Sequence, residues 1–424
     1  MAELDSTPPA PPLTERGYVV DSGPAGSLAV TSLLAREQSL ELEWPRSIEV
    51  YDRMRRSDAQ VASVLRAVTL PDKRTAWRVD STGCRDEVTQ HIAGDMGLPI
   101  LGADASPIPR RTRDRFSWTE HLRLALLMLP FGHMYFEQVY RYDDQGMVHL
   151  RKLGPRMPRT IGTINVAKDG GLESIEQLAP YGDPSTAVTI PVDRLVAYVL
   201  DREGGNWLGT SLLRPAHKHW LIKDMLIRVQ AQTVERNGMG VPLYKGAPGE
   251  ASLTAGQQLA SAWRSGSNAG AAVPFNADLL LRGVEGSLPD ADTPIRYHDE
   301  QIARAVLAHF LNLGTQTGSW ALGSTFADFF TLSLQALAMQ VADTATRHIV
   351  EDIVDLNWGP EEPAPRIVHD EIGSQQVATA QALKLLVEAG VIRPDRLLEE
   401  AMRQMYALPA KDTPAPPDTT GAGS

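Results

Sequence analysis

The chain has 424 residues, 43% of them hydrophobic and 22% charged, with 41 Lys plus Arg against 52 Asp plus Glu and a net charge of −11. That length supports two or three domains with cores of their own, which excludes a short disulfide scaffold. The single cysteine, Cys84, rules out an intrachain disulfide and a multi-thiolate zinc site, and the acidic balance excludes a binder that works by neutralising many phosphates.

The proline-rich start lacks the basic opening and apolar centre of a secretory signal, so none is expected, and residues 1–46 read as a flexible arm. Between Ser47 and Leu70 the apolar positions Ile48, Tyr51, Met54, Val61, Val64, Leu65 and Val68 recur at three and four. This spacing predicts two short helices with a break at Ser57-Asp58 and Asp58 as the new N-cap. RTAWRVD alternates as an edge strand would, and residues 86–96 read as helix. Ser117 with Glu120 three positions on predicts a capping box ahead of the apolar run that ends at Pro130 and Gly132. That run is about half of what a bilayer requires, so no membrane span is expected. Two strands, HMYFEQVYRY and MVHLRKL, flank the turn DDQG, and further sheet extends to PVDRLVAYVL. Residues 47–211 therefore form one α+β body.

A helix is predicted over residues 212–237, with Arg214, Lys218, Lys223, Arg228 and Arg236 against Asp224 and Glu235, a basic stripe inside an acidic chain. Gly238 and Gly240 stop it. Residues 239–295 change character: the strands VPLYKG, AAVPF and DLLLRGV are joined by an Ala/Ser/Gly-rich insert carrying Trp263. Helix resumes over 299–313, breaks at the uncharged loop 314–324 with its three glycines, and restarts at Thr325 for a run to Trp358. Phe326, Phe330, Leu334, Leu337, Val341, Ala345, Ile349, Ile353 and Leu356 make one apolar stripe along it. EEPAPR reads as a rigid break, two helices follow within 373–407, and the tail 408–424 reads as disordered.

Phosphate loops of the Walker type, dinucleotide glycine fingerprints, HExxH and GxSxG are all missing from the sequence. Cys84 reads as a small packed or surface residue. His217 and His219 sit two apart, so on a helix their rings diverge and cannot share a metal; they read as surface or interface groups. Glu351, Asp352 and Asp355 read as solvated acids. No cofactor, metal or catalytic residue is expected.

The order of the parts is the informative feature: α+β body, helix, small β-rich insert, helix, glycine-rich loop, long helix, helical hairpin. Carried by PVDRLVAYVLDREGGNWLGTSLLRPAHKHWLIKDMLIRVQAQTVERNGMGVPLYKG and PIRYHDEQIARAVLAHFLNLGTQTGSWALGSTFADFF, this order resembles the portal proteins of tailed bacteriophages, the Mu-like family in particular. The resemblance implies a ring-forming α+β portal architecture: wing 47–211, stem helices 212–238 and 296–313, clip 239–295, tunnel loop 314–324, long tunnel helix 325–358 and crown 373–407. It implies a twelve-subunit homo-oligomer at a capsid vertex, through which double-stranded DNA is packaged and ejected. Its partners would be the large terminase, major capsid and scaffold proteins and a head-tail adaptor, with virion location after assembly in the host cytoplasm.

The tunnel loop then comprises Gly314, Thr315, Gln316, Thr317, Gly318, Ser319, Trp320, Gly323 and Ser324. Lys218, Lys223 and Arg228 become the channel-facing cations, and Tyr244, Lys245, Trp263 and Arg264 the clip contacts. Low affinity suits a conduit, because an acidic subunit repeated around a ring discourages tight phosphate contacts. Two readings from other classes stay open: another head-completion or adaptor protein, and a soluble enzyme with a hidden site.

Overall fold

The computed structural model describes residues 37–103, 116–179, 186–239, 241–262, 272–282, 290–306 and 320–372. Residues through Asp370 make one compact unit, and Glu371–Ser424 a second. Residues 1–36, the insert with Trp263 and Arg264, the loop positions 314–319, the helices expected within 373–407 and the tail lie outside the described residues.

Helices α1 (Arg46–Ser57) and α2 (Ala59–Arg74) meet at the anticipated break. Asp58 accepts hydrogen bonds from the backbone N–H of Gln60 (2.9 Å) and Val61 (3.0 Å), satisfying two donors that a helix start otherwise leaves free. The stretch just before α1 was expected to belong to a flexible arm, but it is packed. Leu42 is buried with Ile48, Tyr51 and Phe131, Trp44 lies against the same cluster, and Glu37 is bidentate to Arg214 at 2.6 Å on both contacts. Two apolar anchors and one charge pair give that segment enough contacts to offset the cost of ordering it.

Strand β1 (Trp77–Asp80) leads to α3 (Asp86–Met96), which stops at Gly97 with φ 65°. Next come α4 (Trp118–Ala125) and the single turn α5 (Met128–Phe131). The capping box is not formed: Ser117 is the N-cap without a side-chain bond. Glu120 turns instead to Arg123, three residues on, whose Nε lies 2.9 Å away.

The central sheet has the order β3-β2-β7, antiparallel throughout, from β2 (His133–Tyr142), β3 (Val148–Arg156) and β7 (Leu195–Val199). Asp143 Oδ1 closes the β2–β3 turn by accepting from the amides of Gln145 (2.8 Å) and Met147 (2.9 Å). Met134, Tyr135, Phe136 and Tyr198 are fully buried here, each contributing roughly 1.5–3 kcal/mol relative to exposure. A second sheet, β4-β5-β6, comprises Ile161–Val166, Leu172–Gln177 and Val188–Pro191.

Helix α6 runs His217–Met239, starting five residues later than the spacing predicts. Pro215 disfavours helical backbone at Arg214, and the Ser211 hydroxyl holds the preceding turns by donating to Pro130 O at 2.6 Å. Gly238 sits inside the helix rather than stopping it. Strands β8 (Val241–Lys245) and β9 (Asp278–Arg282) pair antiparallel, with α7 (Thr254–Ser261) between them in sequence. Of AAVPF, the described residues 272–275 are loop and turn, not strand.

Helix α8 spans Asp292–Arg304 and starts well before Asp299. Pro294 reads as a breaker but occupies the first turn, where its missing N–H costs nothing. Asp290 secures that start by accepting from the Asp292 amide (3.0 Å) and the Thr293 hydroxyl (2.7 Å).

Helix α9 spans Trp320–Ala345, so Trp320, Gly323 and Ser324, read as loop, have helical backbone. It continues through one wide π turn, Thr346–Val350, into α10 (Glu351–Trp358). The π turn has identifiable causes. Gln138 of β2 donates to His348 O, and the Thr346 hydroxyl donates to Ala342 O (2.9 Å) while accepting from Ile367 N (3.0 Å). The extra residue rotates the stripe: Phe330, Leu334, Leu337, Val341, Ala345, Ile349 and Ile353 are buried as expected, Val350 and Val354 join them, and Leu356 is exposed. Beyond EEPAPR lies a strand the sequence did not announce, β10 (Arg366–His369), antiparallel to β1.

Candidate interaction site

The region that stands apart chemically is the helix pair α6 and α8. Their near ends are anchored in the body: Leu213, Ala216 and Trp220 pack with Ile302, Met54, Val61 and Phe131, and the Arg53 guanidinium lies 5.2 Å over the Trp220 ring. Lys223 ties three helices together. Its Nζ is 2.6 Å from Asp58 Oδ2 on the α2 cap and 2.7 Å from Asp299 Oδ1 on α8. His219 Nδ1 and His298 Nδ1 share a hydrogen bond at 3.0 Å, with Tyr297 edge-on to both rings. The two helices therefore lie side by side.

Farther along, α6 leaves the body and its apolar residues face solvent. Leu221, Ile222, Met225, Ile227, Val229 and Val234 are all exposed, Met225 at 56% and Val234 at 67%. A run of this size on one helix marks a surface that another molecule covers.

The structure changes the candidate cations. Lys223 is withdrawn from the channel-facing set, because its side chain is 7% exposed and engaged by two carboxylates. Lys218 is exposed, and Arg228 is exposed with its Nε 2.9 Å from Asp224, one turn earlier. His217 and His219 diverge as the two-residue spacing requires. His217, however, is buried instead of superficial, with Glu41 at 3.7 Å from the segment that packs over it. Burial lowers the pKa of both imidazoles.

In the β8–β9 module, Tyr244 is committed internally. Its hydroxyl donates to Glu250 (3.1 Å to Oε2) and its ring lies so close to α7 that a Cβ at Gly256 would sit 1.9 Å from Tyr244 Cδ1. Lys245 is exposed at the strand end. Sequence reasoning passed over the exposed apolar residues of this module: Leu243, Leu253, Val273 and Phe275, the last at 90%. An aromatic stranded in an Ala/Ser/Gly-rich stretch was the available signal.

Elsewhere, burial and the nearby carboxylates of Asp80 and Glu362 raise the Cys84 thiol, leaving a poor nucleophile. Glu351 and Asp355 are exposed acids as expected, but Asp352 turns inward to accept from Gln138 Nε2 at 2.8 Å. Burial pushes its carboxyl above the usual range. Among the described residues, no helix is long and apolar enough to cross a membrane.

An α+β body with a packed helix pair, α6 and α8, and a two-stranded module between them in sequence is a fold shared with solved virion components. The chain is similar to a component of the neck of an empty gene transfer agent particle, at 13% identity and TM-score 0.54, covering 86% of this chain and 94% of that one. It is also similar to a component of the neck of a native particle computed with C12 symmetry, at 12% identity and TM-score 0.53, covering 87% and 95%. These identities establish the fold alone. The family model described as the portal protein of Mu bacteriophage matches residues 48–408. The chain belongs to the family of Mu bacteriophage portal proteins.

Proposed function

We propose that the chain is the portal of a phage, prophage or gene-transfer particle: a twelve-subunit ring at a capsid vertex that conducts double-stranded DNA during packaging and ejection. The observation that carries this reading is the exposed apolar run of α6, a helix held rigidly at one end yet uncovered in a single chain. Neighbouring copies around a closed cyclic ring would cover it, since heterologous contacts of one chain close by rotation.

In this reading the body through residue 211 is the wing, α6 and α8 are the stem, and the β8–β9 module is the clip. Residues 373–407 form the crown. The clip would meet the large terminase and later the head-tail adaptor through Lys245 and the exposed Leu243 and Phe275, with Trp263 and Arg264 nearby in sequence. Major capsid and scaffold proteins would meet the outer body. Residues 314–324, now including the first turn of α9, would approach the duplex without charge. Lys218 and Arg228 are the remaining stem cations. The role is structural and needs no catalytic group; the −11 charge of each copy keeps DNA mobile rather than bound.

Two experiments test it. Native mass of the purified chain, with negative-stain images, should give a ring near ~560 kDa for twelve copies of 46.3 kDa; a particle with no central hole contradicts the conduit. Trp320→Ala should leave the ring intact while lowering packaged DNA per particle. A variant that fails to assemble would place Trp320 in the subunit contact instead.

A further inference from the structure

Away from the helix pair, α3 and the β2–β3 hairpin bring together three side chains that none of the portal roles uses. His91 and Asp95 are four residues apart on α3, which puts them on one helix face, and His149 reaches them from β3. One ligand atom from each lies within 4.8 Å of the other two. His149 Nδ1 is 2.7 Å from Asp95 Oδ1, and His91 Nε2 is 3.7 Å from Asp95 Oδ2. A tetrahedral ion with bonds of about 2.0–2.1 Å sets its ligand atoms roughly 3.3 Å apart; the two separations to Asp95, each to a different oxygen, fall on either side of that value.

The groups around the cluster are those that support metal ligands. A ligating histidine characteristically donates its second N–H to a carboxylate, which fixes the ring and its tautomer. Here His149 Nε2 faces Asp143 Oδ2 at 3.2 Å, and Asp143 is itself held by the hairpin amides through its other oxygen. Asp95 Oδ2 accepts from Leu150 N at 2.8 Å, orienting the carboxylate with Oδ1 toward His149. The His91 and Asp95 side chains are 9% and 7% exposed.

We propose that His91, Asp95 and His149 form a binding site for a divalent transition metal of the zinc class, which pins the β2–β3 hairpin to α3. Two histidines and one carboxylate suit zinc, cobalt or nickel rather than calcium or magnesium, which take oxygen ligands. The His91 and His149 rings stack at 4.2 Å and 16°, and His91 Nε2 lies 2.9 Å from Val148 O. Binding turns the rings out of that stack. It moves the His91 Nε2 proton to the other ring nitrogen or to solvent, and releases to solvent the proton shared by His149 Nδ1 and Asp95 Oδ1. Affinity therefore rises with pH.

The test uses the full chain stripped with chelator and then titrated with Zn(II), followed by calorimetry, metal content after desalting and thermal unfolding. One ion per chain, at least tenfold weaker binding in His149→Ala, and undiminished binding in His369→Ala, whose half-buried histidine lies on β10 outside the cluster, are the expected results. The unaltered chain carries an independent check should His149→Ala misfold: Co(II) should give the visible absorption of a tetrahedral site, and Zn(II) should displace it. Failure of the unaltered chain to take up Zn(II) or Co(II), or uptake unchanged in a folded His149→Ala, overturns the proposal.

Discussion

Lys223→Ala separates the two roles a cation on α6 can have. In the structure its ammonium lies between Asp58, 6% exposed, and Asp299, 32% exposed, at 2.6 and 2.7 Å. Removing the lysine leaves a buried carboxylate without its counter-charge, a change that costs about 3–5 kcal/mol when the pair is fully buried. Asp299 is reached by water and Asp58 keeps its two capping bonds through Oδ1, so the lower end, about 3 kcal/mol, is the expected loss. At roughly 2–4 °C per kcal/mol for a large domain, the midpoint should fall by about 6–12 °C. Thermal unfolding followed by circular dichroism reads this directly, with exposed Lys218→Ala as the control, expected within about 0.5 kcal/mol of the parent. If Lys223→Ala melts with the parent while its rings retain or pass DNA differently, Lys223 faces the channel and the three-helix tie is wrong.

Three further outcomes follow from packing and burial. Gly132 has φ 88° and an added Cβ would lie 2.5 Å from Leu208 O, so Gly132→Ala should destabilise by about 2–5 kcal/mol in urea titration; an unchanged midpoint contradicts that close approach. Asp72 is completely buried with both carboxylate oxygens unpartnered, and burial, opposed weakly by Lys73, raises its pKa to about 7. The folded state therefore holds a proton the unfolded chain releases near pH 4. Stability should decline as pH rises from about 4 to about 7, by up to about 4 kcal/mol, and level off above; Asp72→Asn should flatten the profile and melt higher at pH 8. Met225→Asp changes an exposed position of α6, so the single chain should keep its stability while the ring mass is lost from native mass spectra. A full-size ring from that variant removes α6 from the subunit contact.

Local signals in the sequence were read correctly where one segment decides its own structure. The Asp58 cap, the 86–96 helix and the DDQG hairpin each depend on residues within a few positions of one another. Two misses were local, the capping box lost when Glu120 turns to Arg123 and the start of α6 delayed behind Pro215; distant partners decided the others. β10 pairs with β1 across about two thirds of the chain and carries no turn signal of its own. Leu356 left the stripe because Gln138, on another element, and Thr346 with Ile367 stabilise a π turn that spacing cannot encode. Lys223 read as a channel-facing cation, and only the convergence of Asp58 and Asp299 from two other helices shows it withdrawn into the fold. The order of parts did identify the family, because it survives changes in individual residues. The His91, Asp95 and His149 grouping had no linear pattern, since its third member arrives from a strand far along the chain.

The position of α6 in an assembly decides the portal reading. Cryo-electron microscopy of the purified oligomer should show a cyclic ring in which α6 and α8 surround the central opening, with Leu221, Met225 and Val234 covered at contacts between neighbouring copies and Lys218 and Arg228 toward the opening. A ring with α6 on its outer rim, or a closed dimer that buries the same apolar residues, would contradict the portal reading of this chain.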